Sequence, residues 1–378
     1  MNQRQYIKSA AIFLILIFIF PIVFIFSDKK EKSEIERRKL GKKPEMSLEN
    51  ITDKSYMNSM EAYLSDHFPA RIQWVKTKLN IERLSGKECI NNVYIDEDRL
   101  YEKLEEPDFE TIDISVDAIN RYAQRHDETK VFAMIAPTSA GVYEDELNEY
   151  LPQYNQKSLI KYIDQKLDKK VNVIDVYSAM YSHRDKYIYY RTDHHWTSLG
   201  AFTAYRYAAG KMGFSCYDDY DIMKVADDFR GTLYAKCLYG GIKPDTIEIY
   251  KPKNNVKAVS VTLNDGLVMK DAEDIYFTEF LETEDKYSLF LGENRAVNDI
   301  KTNADTQRTL LLFKDSYANS FVPFLMQHYS EIMVVDLRYV KSALTDYCDP
   351  DKFDHTLFLY NASTFASDQN IKNILLTQ

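Results

Sequence analysis

The chain is 378 residues long and 45% hydrophobic, which gives room for one large domain or two ordinary ones and enough apolar material to bury a core. The formal net charge of −10 is uneven: residues 1–43 hold ten Lys/Arg against four Asp/Glu, which leaves about −16 on the remainder. An acidic body repels phosphates, which argues against nucleic acid as the main partner.

In chain order, the first feature is Ala10–Phe26, seventeen residues without a charge, preceded by Arg4 and Lys8. At about 1.5 Å per residue such a helix nearly spans a hydrocarbon core, and Pro21 is tolerable in it. The following SDKKEK offers no small-x-small cleavage site, so residues 1–27 read as an uncleaved signal anchor rather than a leader peptide. The expectation is a single-pass anchor in the cytoplasmic membrane, although Lys29, Lys30, Lys32, Arg37, Arg38 and Lys39 on its far side favour the opposite topology by charge alone. Residues 28–45 are a charged stalk. Tyr56, Met60, Tyr63, Leu64, Trp74, Leu79 and Ile81 keep helical spacing through 47–85, interrupted at Pro69, so 28–91 form a stalk and helical lead-in.

From residue 92 to 378 strands and helices alternate. Strands are predicted at 130–137, 171–177, 186–190, 309–313, 332–337 and 356–361. Helices are predicted at 159–167, 197–213 and 318–329, with a helical turn at 340–347, while 214–285 is polar and poorly periodic. Apolar strands separated by helices indicate an α/β domain with a mostly parallel sheet covered on both faces. The four cysteines (Cys89, Cys216, Cys237 and Cys348) form no CxxC pair. That argues against a zinc ribbon or thioredoxin-type site and leaves two disulfides or four thiols open.

In an open α/β sheet, ligands sit at the carboxyl ends of strands, and two such ends carry reactive side chains. In YYRTDHHWTSLGAF, Asp193 and His195 share one face of an extended segment and His194 takes the other. A carboxylate beside an imidazole is what a general base needs. In LLLFKDSYANSF, Ser316 lies between a buried strand and a helix, where it can be presented on a sharp turn with helix amides beside it. Together they give a triad: Ser316 attacks, His195 takes its proton, and Asp193 orients His195. The plainer readings are that Ser316 or Asp315 caps a helix, that His194 is structural, or that Asp193, His194 and His195 hold a metal. Trp196 reads equally as a wall of the site or as the start of helix packing.

TDHHW followed some 120 residues later by FKDSYANSF resembles the DHHW proteins, relatives of the AlgJ and AlgX proteins of alginate O-acetylation. YLSDHFPARIQW, NNVYIDEDRLY, FRGTLYAK, YSLFLGENRAV, VVDLRYV and LFLYNASTF resemble further family blocks in the same order, over about residues 55–365. The resemblance implies an SGNH-hydrolase-like fold in which the Asp-x-His element, Asp193 and His195, precedes the nucleophile Ser316. It implies an acetyltransferase or acetylesterase acting on a polysaccharide outside the cytoplasmic membrane, alongside a membrane-bound O-acyltransferase and without a cofactor. Lys314 and Asp315 depart from the alginate proteins, and a negative Asp315 beside an oxyanion is unfavourable unless it is paired or turned away. Candidate supporting residues are the Ser316 amide, Thr138 or Ser139 as a second oxyanion donor, Arg338 and Asn361 as contacts to substrate oxygens, and Trp196 and Tyr317 beside the site. The rival readings are a non-catalytic carbohydrate-binding or scaffold protein and a metal-dependent hydrolase.

Overall fold

The structure, a computed structural model, describes residues 3–147, 154–266 and 268–375. The chain divides into two compact units: Met1–Ile90 with Ala235–Gly240, and Asn91–Tyr234 with Gly241–Gln378.

The first unit is helical, with α1 (Gln3–Phe26), α2 (Ser55–Asp66) and α3 (Arg71–Leu84). Pro69 separates α2 from α3, and Ala70 turns the chain with a left-handed φ of 56°. Asp66 accepts from Arg38 and from the Gly41 amide. The Arg38 hydrogen bond is the main reason its carboxyl is pulled down to about 2. The expected membrane anchor is corrected here: among the described residues no helix is long and apolar enough to cross a membrane, and the placement of the body outside the cytoplasmic membrane falls with it. A helical apolar segment satisfies its own backbone whether its side chains meet lipid or protein. In α1, Phe20 stacks on Phe68 at 5.1 Å between centroids, Phe20 also meets the edge of Trp74, and Phe24 meets Tyr63 at 5.9 Å.

The second unit is built on an eight-stranded sheet. Its strands are β1 (Lys130–Ala136), β2 (Val171–Val173), β3 (Ala258–Asn264), β4 (Met269–Ala272), β5 (Val297–Thr302), β6 (Thr309–Lys314), β7 (Glu331–Val335) and β8 (His355–Asn361). Their order is β4-β3-β5-β7-β6-β8-β1-β2. The five strands from β7 to β2 are parallel, and β5, β3 and β4 continue the sheet antiparallel. Leu310, Leu311, Leu312 and Phe313 of β6 are wholly buried. Burying such side chains contributes about 1.5–3 kcal/mol each. Helix α4 (Phe109–Arg125) lays Ile112, Val116, Ile119 and Tyr122 on this core at helical spacing, and Tyr122 Oη meets Thr356 Oγ1 of β8 at 3.1 Å.

The α/β architecture with a mostly parallel centre is as predicted, with local differences. The amphipathic pattern of α4 is absent from the predicted elements. Residues 186–190 form no strand, only an isolated bridge between Tyr189 and Trp196, because the following amides turn inward onto Asp245. The predicted helix 318–329 breaks into a 3-10 turn, Ser316–Ser320, and one α-turn, Val322–Leu325, which carries Pro323. The 340–347 turn shrinks to a 3-10 turn at Leu344–Asp346. The polar stretch 214–285 contains a hairpin, Tyr220–Phe229 with Asp245–Pro252, together with β3 and β4. All four cysteines are free.

Candidate active site

Ser316 stands two residues beyond Lys314, the last residue of β6, where the buried strand gives way to the 3-10 turn. Its Oγ lies 2.7 Å from His195 Nε2, and His195 Nδ1 lies 2.5 Å from Asp193 Oδ1. Asp193 Oδ1 also accepts from the His195 amide at 3.0 Å, while Oδ2 accepts from the Thr232 amide at 2.7 Å and the Thr232 hydroxyl at 3.0 Å. Four donors thus hold one buried carboxylate in place. Burial, helped by the neighbouring His194, pushes His195 down to about 4 against the opposing pull of Asp193. The imidazole is therefore neutral near pH 7 and able to accept a proton at Nε2.

The two sequence strings are fastened together directly. Trp196 Nε1 donates to the Tyr317 carbonyl and to Ser320 Oγ, each at 3.0 Å, and Tyr317 Oη donates back to the His194 carbonyl at 2.5 Å. Trp196 and Tyr317 are thus buried clamps between the two segments. His194 takes the other side of its chain, as alternation predicts, and its Nδ1 lies 2.5 Å from Thr232 Oγ1. Because that hydroxyl donates to Asp193, His194 is the donor in this pair.

Asp315 is turned away and paired. Oδ1 accepts from the Tyr317 amide at 2.8 Å, and Oδ2 accepts from Asn361 through its amide at 2.8 Å and Nδ2 at 2.7 Å. Asn361 spends its other side-chain hydrogen on Thr364 and caps the short helix Ala362–Ser367. Both its side-chain hydrogens serve the fold, not a substrate oxygen. Arg338 grips Asp336 bidentately at 2.8 and 2.6 Å, and Asp336 lies 3.5 Å from the buried Lys314, which also donates to Asn319 at 2.8 Å and Asn294 at 3.1 Å. Burial pushes the Lys314 ammonium below its ordinary range. Thr138 and Ser139 are buried at the end of β1, two strands from β6. Thr138 is held by Gln156, which accepts from its amide at 2.9 Å and donates to its hydroxyl at 2.6 Å.

Three parts of the site escaped sequence reasoning. Gly231 packs against Asp193 so closely that a Cβ there would lie 2.1 Å from the Asp193 Cβ. Asp245 accepts from the Arg191 amide at 2.7 Å, the Thr192 amide at 2.8 Å, and Thr192 Oγ1 and Tyr187 Oη at 2.5 Å each, which shapes the turn that carries Asp193. Tyr287 lies flat on His195, with centroids 3.7 Å apart. FRGTLYAK and YSLFLGENRAV contained Gly231, Thr232 and Tyr287, but nothing in their spacing assigns them a role.

Among the described residues, one group of side chains could gather a metal: donor atoms of Asp193, His194 and His195 lie within 4.8 Å of one another. Each of the three side chains is already hydrogen-bonded, to Thr232, to Ser316 or within the trio, so a cation would displace the relay to bind.

The family model of the DHHW proteins matches residues 85–335. The chain belongs to the DHHW family. A solved DHHW family protein from Eubacterium siraeum is 26% identical, with a TM-score of 0.63 over 75% of this DHHW chain and 95% of the other. PatB1 of Bacillus cereus is 22% identical, with a TM-score of 0.62 over 73% and 98% of the two chains, and it has also been solved with a sulfonyl adduct. The O-acetyltransferase domain of Pseudomonas putida AlgJ is more distant, at 13% identity over 71% and 90% of the chains and a TM-score of 0.43. No curated protein matches the chain.

Proposed function

We propose that this DHHW protein is a serine-nucleophile acyltransferase of the polysaccharide O-acetyltransferase or acetylesterase class. The observation that carries the reading is the relay from Asp193 through His195 to Ser316, at 2.5 and 2.7 Å. The resemblance of its sequence blocks to the alginate O-acetylation proteins supports the acetyl and polysaccharide specificity. Ser316 Oγ attacks the acetyl carbonyl carbon of the donor while its proton moves to His195 Nε2. The imidazolium is held by Asp193. The donor's bond to the acetyl carbon then breaks, and the leaving oxygen takes the proton from His195. A sugar hydroxyl, or water in the esterase case, next gives its proton to Nε2 and attacks acetyl-Ser316, and the released Ser316 oxygen recovers the proton.

Ser316 opens its turn, so its N–H has no partner within it and is the first oxyanion donor. The turn is too short to lend a helix dipole. The test is acetate release from an activated acetyl ester by the full chain, compared with Ser316→Ala and His195→Ala. Removing a triad member should lower kcat by about 10⁴-fold or more. Equal rates in wild type and Ser316→Ala would leave a binding or scaffold role in its place.

A further inference from the structure

Tyr287 sits in a single 3-10 turn, Lys286–Leu289, remote in sequence from both catalytic strings. Its ring lies on the His195 imidazole at 3.7 Å between centroids and only 11° from parallel. Its hydroxyl donates to the Ser316 carbonyl at 3.0 Å and lies 3.2 Å from Ser320 Oγ. Burial holds the phenol far above its ordinary range, so the hydroxyl keeps its proton. One side chain therefore touches both the base and the nucleophile's own backbone.

We infer that Tyr287 is a positioning residue for the acyl transfer proposed above, fixing the plane of the His195 ring and the carbonyl of Ser316 so that Nε2 and Oγ meet in attack geometry. The ring is itself braced. Tyr190 meets its edge at 6.3 Å and Phe290 packs at 5.4 Å, within a buried cluster that includes Phe229, Ile247 and Leu289. His194 tilts against His195 at 3.8 Å, and Asp193 fixes Nδ1, so the imidazole cannot turn without disturbing a packed neighbour. When Ser316 Oγ gives its proton to Nε2, the new positive charge lies against the face of the Tyr287 ring, where the π-electrons attract it. A tyrosine that only fills space would supply neither effect to the reaction.

The test compares full-length wild type, Tyr287→Phe, Tyr287→Leu and Ser316→Ala. The probes are an activated acetyl ester and an aryl sulfonyl fluoride, in which Ser316 Oγ bonds to sulfur and fluoride leaves. Tyr287→Phe keeps the ring and loses one neutral hydrogen bond, so kcat should fall about fivefold. Tyr287→Leu loses the stack and should fall about 100-fold, the scale of a misplacement near 1 Å. KM should hold in both, and Ser316 sulfonylation should slow in parallel with kcat. Retention of most activity by phenylalanine relative to leucine is the rescue that a positioning ring requires. The inference is overturned if Tyr287→Leu is sulfonylated at the wild-type rate, or if KM rises while kcat stays fixed. Where the leucine chain does not fold, Tyr287→Phe decides alone, and wild-type kcat and sulfonylation in it overturn the role. A wild type no more reactive than Ser316→Ala removes the serine reading and this role together. A reactive wild type with an equally reactive leucine variant removes only the role of Tyr287.

Discussion

Gly231→Ala is the most demanding test of the geometry because it adds one methyl group and changes no charge. A Cβ at Gly231 would lie 2.1 Å from Asp193 Cβ, 2.3 Å from Oδ2 and 2.5 Å from Cγ. Ordinary contact begins near 3.4 Å, so Asp193 or the Gly231 backbone has to retreat by about 1.3 Å. Asp193 cannot yield freely, because the same carboxylate holds the Thr232 amide at 2.7 Å and His195 Nδ1 at 2.5 Å. Overpacking of this kind costs about 1–3 kcal/mol of stability, and a displacement near 1 Å in a catalytic array costs about 100-fold in rate. The assay is kcat and KM on an activated acetyl ester together with thermal unfolding. The expected result is a kcat about 100-fold lower in a folded protein of nearly unchanged KM. Gly210→Ala is the control: it sits in the helix Ser198–Met212 with open space where its Cβ would go, and it should gain about 0.5–1 kcal/mol with no change in rate. A Gly231→Ala enzyme with wild-type kcat would refute the placement of Asp193.

Other outcomes follow from the same contacts. Because burial lowers His195 to about 4, the base stays neutral far into acid, and the acid limb of kcat/KM should fall near pH 4; a limb near 6.5 would contradict the burial of the imidazole. The linked stability has a definite sign: the unfolded histidine takes a proton below about pH 6.5 and the folded one does not, so this share is complete above 6.5 and is lost toward pH 4 by up to about 1.4 kcal/mol per pH unit. Urea titrations of wild type and His195→Gln at pH 7.5 and 5 should show the shallower pH dependence in the variant. Asp245→Ala strands the Arg191 and Thr192 amides, the Thr192 hydroxyl and the Tyr187 hydroxyl, and should cost about 3 kcal/mol or more along with most activity; a denaturation midpoint equal to wild type would contradict the buried network. Chelation should leave acetate release unchanged, whereas added Zn²⁺ should inhibit by capturing Asp193, His194 and His195; loss of activity on chelation would favour the metal reading.

The fold was legible where side chains alone explain it. KVFAMIA, TLLLF, IMVV and TLFLYN are apolar because both faces of the central strands are covered. β3 and β4 were hidden because they lie at the exposed antiparallel margin, where Val259, Val268 and Met269 meet solvent and polar residues alternate without a clean period. The apolar segment of α1 illustrates the opposite limit, since composition does not say whether Phe20 and Phe24 face lipid or other rings of the same chain. Asp193, His195 and Ser316 could be proposed from spacing because each sits beside a recognisable string. Thr232, Gly231, Asp245 and Tyr287 could not, because their contacts span 29 to 92 residues of chain and depend on how the hairpin and the Lys286–Leu289 turn fold over the sheet end. Trp196 and Tyr317 were visible as neighbours, but their reciprocal bonds to opposite backbones were not.

The acyl transfer proposed above has Ser316 Oγ carrying the acetyl group between donor and acceptor. Its most direct test is the intact mass of the full-length protein after brief mixing with an activated acetyl ester, followed by peptide mapping, for wild type and Ser316→Ala. The expected result is the added mass of one acetyl group on wild type, mapped to Ser316 and lost as a sugar or water acceptor is supplied, with no adduct on Ser316→Ala. Turnover by wild type with no label at Ser316, or equal labelling of the two proteins, would contradict it.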